Sequence, residues 1–261
     1  MHQELRGFSM IDLKDTTFVI PVKIEHPDRA NNLKTVVDYL TNNLDTNIII
    51  HEQDSDEVRK LLEGQTFQYM RSERTDDLLH RTKQLNDMVK ASKTPIVVNY
   101  DADVLVEPSV YNNCATAIRQ NQADMVLPYS GPCYNVPTAF HENIRKTNNV
   151  IDIDLKKCHL MNPNAIGGAV FFNREKYIEG GLENERCLSW GYEDNERLYR
   201  FKTLGYRVVR TNNVLFHLTH HRSTNSIETP HSTKNAGEFA RIRRLSPAQL
   251  RQEVNSWTWT K

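Results

Sequence analysis

The chain has 261 residues, 38% of them hydrophobic and 25% charged, enough for a single sizeable α/β domain with a C-terminal extension. Its 33 basic and 33 acidic residues cancel, which argues against a general nucleic-acid binder while leaving room for a local basic cleft. Four isolated cysteines, Cys114, Cys133, Cys158 and Cys187, make no CxxC pair, so neither a disulfide framework nor a structural zinc site is indicated.

Residues 1–15 read as an N-terminal extension, too charged for a signal peptide. Thr17–Val22 is expected to be the first strand, with Pro21 near its end as a stop. Leu33, Val36, Val37, Leu40 and Leu44 recur at helical spacing over Asn31–Leu44. Asn47–His51 reads as a second buried strand, followed by the acidic loop 52–56 that contains Asp54. A short helix over 56–62 and a third strand over Thr66–Met70 follow. Asp76–Ala91 is expected to be a helix with an Asp cap, and Ile96–Val98 starts a fourth strand. This alternation predicts a Rossmann-like α/β fold, a mainly parallel central sheet with helices on both faces.

Beyond residue 108 the rhythm loosens. Ser109–Gln120 reads as a helix, Asp124–Pro128 as a strand, and 129–165 as an irregular, substrate-facing segment. Ala169–Asn173 reads as a strand and Glu193–Leu204 as a helix stopped by Gly205. Tyr206–Arg210 reads as a late strand, 217–235 as a loop, and 236–251 as a terminal helix. No apolar run approaches membrane-spanning length, so a soluble cytoplasmic protein is expected.

No GxGxxG follows the first strand and no GxxxxGK[ST] occurs, which disfavours a dinucleotide-binding dehydrogenase or a P-loop enzyme. Asp101 and Asp103 stand where the Ile96 strand emerges, the edge at which open α/β sheets bind ligands. Their hard oxygens suit Mg²⁺ or Mn²⁺ shared with a diphosphate, although an Asp-rich turn has the same composition. In Trp190-Gly191-Tyr192-Glu193-Asp194-Asn195-Glu196, a carboxylate could act as general base and Trp190 could face a sugar. An ordinary capped helix explains those residues as well. His217 and His220 could add imidazole to an ion held by Asp103, or lie in a plain polar loop. Arg81, Lys83 and Asn86 share a helix, and Lys23 and Arg29 flank the first strand; solvated basic faces are the simpler reading of each alone.

In sequence order, these segments resemble the GT-A glycosyltransferases, nearest to the β-1,4-galactosyltransferase and chondroitin-polymerase type of family. The resemblance runs from about Phe18 to Arg222. It implies a domain over 16–235, with a nucleotide-binding half to residue 108, an acceptor and metal half from 109, and a tail over 236–261. It places Pro21, Val22, Lys23, Arg29, Asp54, Arg81, Lys83, Asn86, Asp101, Ala102, Gly167, Gly168 and Trp190 around the donor. Asp101-Ala102-Asp103 matches the DxD signature and Asn164–Ala169 the paired-Gly segment. Trp190–Asp194 matches the Trp-Gly-x-Glu-Asp signature, with Tyr192 where a second Gly is usual. Asp103, His217 and His220 become the metal ligands for Mn²⁺ or Mg²⁺, Asp194 the base and Glu193 the residue that orients the acceptor.

The activity this resemblance implies is inverting transfer of a hexose or N-acetylhexosamine from a nucleotide sugar, UDP-linked by preference, to a saccharide hydroxyl, in a bacterial or viral enzyme. Two rivals stand beside it. A sugar-phosphate nucleotidyltransferase normally carries a Gly-rich or Lys-containing loop after the first strand, and PVKIEHPDR lacks the glycines. A non-catalytic carbohydrate-binding module could keep Trp190 but has no need of the two aspartates.

Overall fold

The computed structural model describes residues 10–261; residues 1–9 of the expected N-terminal extension lie outside the described residues. The first strand is longer than the sequence suggests. β1 spans Ile11–Val22, with a register shift between Leu13 and Thr17 that separates its polar start from the buried TFVIPV run. In chain order follow α1 (Pro27–Asn43), β2 (Leu44–Gln53), α2 (Val58–Leu61), β3 (Gln68–Ser72), α3 (Arg81–Ala91), β4 (Ile96–Tyr100) and β5 (Val104–Leu105). Next come α4 (Pro108–Arg119), β6 (Met125–Leu127), β7 (Cys133–Val136), α5 (Thr138–Thr147), β8 (His159–Asn162) and β9 (Ala169–Asn173). The chain closes with α6 (Arg174–Glu179), α7 (Glu193–Thr203), β10 (Val208–Arg210), β11 (Leu215–Leu218), α8 (Pro230–Arg243) and α9 (Pro247–Ser256).

Seven strands form the main sheet in the order β10-β6-β9-β4-β1-β2-β3. All neighbours are parallel except β9, which runs antiparallel to both β4 and β6. The expected α/β class and mainly parallel sheet are therefore what the chain adopts. Phe18, Val97, Val98, Phe171 and Phe172 are fully buried at its centre. Phe18 meets Tyr100 and Phe171 edge-on, with ring centroids 5.2 and 5.9 Å apart. A second sheet, β5-β11-β7-β8, stands beyond the end of β4.

Four further stretches differ from the sequence reading. The terminal helix expected over 236–251 is two, since α8 ends at Arg243 and Pro247 with a reciprocal Ser246–Gln249 capping box starts α9. The helix expected from Asp76 begins only at Arg81. Asp76 spends its carboxylate on His80 Nε2, at 3.0 Å, while Asn225 Oδ1 takes the Leu79 amide at 2.8 Å and Gln53 Oε1 the His80 amide at 2.9 Å. Tertiary hydrogen bonds hold 76–80 out of the helix. The segment 129–165 is not irregular but carries β7, α5 and β8, whose short, polar strands give little periodicity. The expected loop 217–235 contains the end of β11 and the start of α8. Pro230 and a reciprocal Thr229–Ser232 capping box set that helix start. Among the described residues no helix is long and apolar enough to cross a membrane.

Candidate active site

Strands β1 and β4 run side by side and parallel, with Val19 opposite Asn99, so Pro21–Lys23 and Asp101–Asp103 leave the sheet at one edge. The chain then enters the small sheet as β5. There, antiparallel pairing sets Val104 opposite His217 and Leu105 opposite Phe216, and Leu218 donates to the Asp103 carbonyl at 2.7 Å. Sheet register thus brings the histidine segment beside an aspartate more than a hundred residues earlier. The result is a cleft of about 730 Å³, lined among others by Pro21, Val22, Lys23, Arg29, Arg81, Asp101 and Ala102. Gly167, Gly168, Trp190, Glu193, Asp194, His217 and His220 line it too.

Three donor atoms converge at one end. Oxygen of Asp103 and ring nitrogens of His217 and His220 lie within 4.8 Å of one another. His220 Nδ1 lies 2.6 Å from the His221 carbonyl and its Nε2 lies 3.1 Å from Asp103 Oδ2. Burial pushes His217 down to about 4, so its ring is neutral at pH 7. Its Nδ1 faces Asn135 Oδ1 at 2.8 Å and its Nε2 faces Asp103 Oδ1 at 3.8 Å. One carboxylate oxygen and two imidazole nitrogens thus converge on one point, a ligand set that a divalent cation can take up. Burial opposes ionisation of Asp103, but His217, His220 and Arg29 outweigh it and hold its carboxyl well below the usual range. This donor set fits Mn²⁺ or Mg²⁺.

At the other end, carboxylates and arginines alternate. Arg81 Nη2 donates to Asp101 Oδ1 at 2.6 Å, and its Nη1 lies 3.8 Å from Glu193 Oε1 and 4.0 Å from Asp194 Oδ1. That Nη1 and Glu193 Oε2 are both buried without a hydrogen-bond partner. Unpaired polar atoms facing a cleft are groups for a ligand to satisfy. The two neighbouring carboxyls are driven apart. Burial and then the adjacent Asp194 raise Glu193 to about 7. Burial also opposes ionisation of Asp194, but Arg197 and Arg81 prevail and keep it below its ordinary value.

The paired glycines have a packing cause. A Cβ on Gly167 would stand 1.8 Å from Asp194 Oδ2; Gly168 has φ +85, and its carbonyl accepts from the Asp101 amide at 2.8 Å. Trp190 and Tyr192 stand 44% and 43% exposed at the cleft mouth. Tyr192 holds φ 67 at the start of α7, a left-handed backbone that glycine adopts without cost.

Three expected donor residues do not line the cleft. Asn86 is buried under the fold, bonded to the backbone of Glu183 and to Glu185. Lys83 turns to Asp87, one helical turn on, at 3.1 Å. Asp54 sits one step back, where it holds the cleft residue Lys23 at 3.1 Å. Helical spacing alone could not tell which side of α3 meets the cleft. Glu25, Arg222 and Asn225 line the cleft as well. Of these, Arg222 adjoins the histidine segment, whereas Glu25 and Asn225 carry no motif. Tyr129, whose hydroxyl donates to the Gly167 carbonyl, and the Glu183–Arg197 pair behind Asp194 have no sequence signal either.

The family model described as Glycosyl transferase family 2 matches residues 17–184. A second, described as the N-terminal domain of galactosyltransferase, matches residues 148–224. No curated protein sequence matches. Among solved structures, a mannosyltransferase from Pyrobaculum calidifontis in complex with GDP-Man and Mn²⁺ superposes with TM-score 0.56 at 14% identity, over 93% of this chain and 69% of that one. GalNAc-T7 with UDP, GalNAc and Mn²⁺ gives 0.62 at 14%, over 94% of this chain and 55% of its own. The catalytic domain of Drosophila β1,4-galactosyltransferase 7 in complex with xylobiose gives 0.50 at 13%, over 87% and 80%. At such identities the likeness is one of fold, and the chain spans about half the length of GalNAc-T7.

Proposed function

This chain belongs to glycosyl transferase family 2 and is a glycosyltransferase; from that premise we propose that it moves a hexose or N-acetylhexosamine from a UDP-sugar to a saccharide hydroxyl, with inversion and with Mn²⁺ or Mg²⁺. One observation carries this reading: a metal-ligand cluster and a pair of electrostatically separated carboxyls line one cleft, with Arg81 bonded to Asp101 and beside both carboxyls. The Mn²⁺ and nucleotides bound by the mannosyltransferase and GalNAc-T7 support a metal and a nucleotide-sugar donor, and the UDP of GalNAc-T7 supports the uridine choice.

Asp103, His217 and His220 would hold the ion, which as a Lewis acid offsets charge growing on the departing diphosphate. Arg81 and Arg29 supply guanidinium donors suited to phosphate oxygens. Asp194 is ionised and more accessible than Glu193, so it takes the acceptor's hydroxyl proton as the oxygen bonds to the anomeric carbon. The anomeric C–O bond breaks with its electron pair going to the diphosphate, and a single displacement inverts the centre. Glu193, whose carboxyl burial raises to about 7, donates to or accepts from the bound sugars and sets their orientation. Trp190 offers its exposed face to a pyranose.

The test is thermal denaturation with UDP, GDP or CMP, each with and without Mn²⁺, followed by NMR of the product's anomeric proton. Stabilisation by UDP only in the presence of Mn²⁺, and a β-linked product from an α-linked donor, are expected. Indifference to every nucleotide would remove the donor assignment, and a retained anomer would remove inversion.

A further inference from the structure

Behind Asp194 lies a buried charge network that no motif announces. Arg197 is one helical turn further along α7 and 1% exposed, and its Nη2 donates to Asp194 Oδ1 at 2.6 Å. Its Nη1 donates to Glu183 Oε1 at 2.7 Å, and Glu183 is completely buried. The same glutamate oxygen receives Asn99 Nδ2 at 2.8 Å, from β4, and the Tyr177 hydroxyl, from α6. The Glu183 amide donates to Asn86 Oδ1 at 2.8 Å, which gives a role to a residue that does not reach the cleft. Arg197 Nη2 also reaches the Ile166 carbonyl at 3.4 Å, next to the Gly167 that walls the other side of Asp194.

A guanidinium buried this deeply costs stability unless paired, and a buried ion pair seldom repays its own desolvation. Stability alone is therefore a weak reason for such a network. Its geometry gives a better one. One carboxylate oxygen of Asp194 is tied by Arg197, while Gly167 leaves room for the other and the segment that positions Gly167 is tied by the same guanidinium.

We propose that Arg197, anchored by Glu183, is a positioning residue that fixes the Asp194 carboxylate and keeps it ionised for proton abstraction. The proposal rests on the transferase reading of Asp194. The charged and titratable groups facing Asp194 are Arg81 from α3, Glu193 and Arg197 on α7, Asp101 after β4, and Tyr129 after β6. Arg81 belongs to the donor side and also binds Asp101; the carboxylates that Arg197 binds are Asp194 and Glu183, and its one other hydrogen bond is to the Ile166 carbonyl at the cleft wall.

The test reads Asp194 directly. Its carboxyl ¹³C resonance, assigned by its loss in Asp194→Asn, is titrated in the full chain labelled with [¹³C]aspartate. The double variant Arg197→Met/Glu183→Gln removes both buried charges together and so avoids an orphaned Glu183. In it the Asp194 midpoint should rise, by somewhat less than the roughly one to three pH units of an adjacent Arg, because the lost Glu183 charge acts in the opposite direction from further away. Glu183→Gln alone should lower the midpoint, since the arginine then serves one carboxylate. Opposite signs are the signature that a merely structural network would not give. In parallel, hydrolysis of UDP-galactose and UDP-N-acetylgalactosamine at saturating Mn²⁺, with water as acceptor, should show an acidic limb that moves with each midpoint. Unmoved midpoints, or two that move the same way, overturn the proposal. Wild-type protein that hydrolyses neither donor while its Asp194 midpoints still shift would overturn the transferase reading and leave the charge coupling standing.

Discussion

Gly167 and Asp194 occupy each other's space: the Cβ that any other residue would add lies 1.8 Å from Asp194 Oδ2. The carboxylate cannot retreat cheaply, since Arg197 holds its other oxygen at 2.6 Å. Gly167→Ala should therefore misplace Asp194, the proposed base. Displacement on this scale costs about 10²-fold in rate, with a stability penalty of roughly 1–3 kcal/mol from overpacking. Transfer kinetics and thermal denaturation check it, and an unimpaired alanine variant would detach Gly167 from the base. Glu193 gives a pH prediction with a definite sign. Its folded value of about 7 exceeds the ordinary 4.5, so the native state holds this proton more tightly than the unfolded chain does. Its contribution is fully present below about pH 4.5 and is lost as pH rises through 7, up to a few kcal/mol at about 1.4 per unit. The midpoint temperature of Glu193→Gln should accordingly fall less between pH 5 and 8 than that of the wild type. Parallel curves would show that Glu193 ionises normally.

At the scale of elements, the informative case is the delayed start of α3. Asn225 is a buried junction: its Oδ1 receives the Leu79 amide at 2.8 Å and Ser189 Oγ at 3.1 Å, and its Nδ2 donates to Glu25 at 2.7 Å and to the Asp77 carbonyl at 3.0 Å. It joins four loops and so fixes the entry to the helix that presents Arg81. Asn225→Ala leaves several buried groups unpaired, at about 1–3 kcal/mol for each such loss. Hydrogen exchange at the Leu79 amide should accelerate, and UDP affinity in the presence of Mn²⁺ should weaken by about tenfold, roughly 1.4 kcal/mol; exchange unchanged at Leu79 would sink this account. The same helix shows what sequence can and cannot tell. Ile96–Val98, Asp101, Asp103 and the Trp190–Asp194 run were legible, because burial, emergence at a strand end and a helix start each leave a local signature. Asp76 as a cap was not, because partners at 225 and 53 outcompete the local signal. Lys83 and Asn86 illustrate the same limit, since Arg81 faces the cleft and they do not. Strands β7 and β8 are four residues each, and the pairing of β7 with β11 and of β8 with β7 is a tertiary fact that periodicity does not encode.

Considered as a whole molecule, the chain assembles its site from two sheets, and the two halves of the site call for different tests. Asp103 leaves the main sheet, whereas His217 belongs to the small one, so an ion between them joins both. Mn²⁺ at about a hundred times its dissociation constant should add about 2.7 kcal/mol and raise the midpoint by roughly 5–10 °C, an increment that Asp103→Asn or EDTA should abolish. A midpoint that Mn²⁺ raises equally in Asp103→Asn would place the ion elsewhere. The C-terminal helices act by another route. Trp257 is 1% exposed, packed where a Cβ on Gly181 would meet its ring at 2.8 Å, with the Arg200 guanidinium 5.0 Å from its centroid. Arg200 in turn binds Glu196 at 2.8 Å and the Leu182 carbonyl at 2.8 Å. Trp257 thus buttresses the far part of α7, while Asp194, the proposed base, sits in its first turn and is held separately through Arg197 and Glu183. Trp257→Ala should cost about 3–5 kcal/mol of stability. At a temperature where the variant remains folded, its KM and kcat should stay within a few-fold of wild type, because nothing that touches the cleft has moved. A large loss of kcat under those conditions would show that α7 transmits strain along its whole length, and that Arg197 does not insulate Asp194 from the helix behind it.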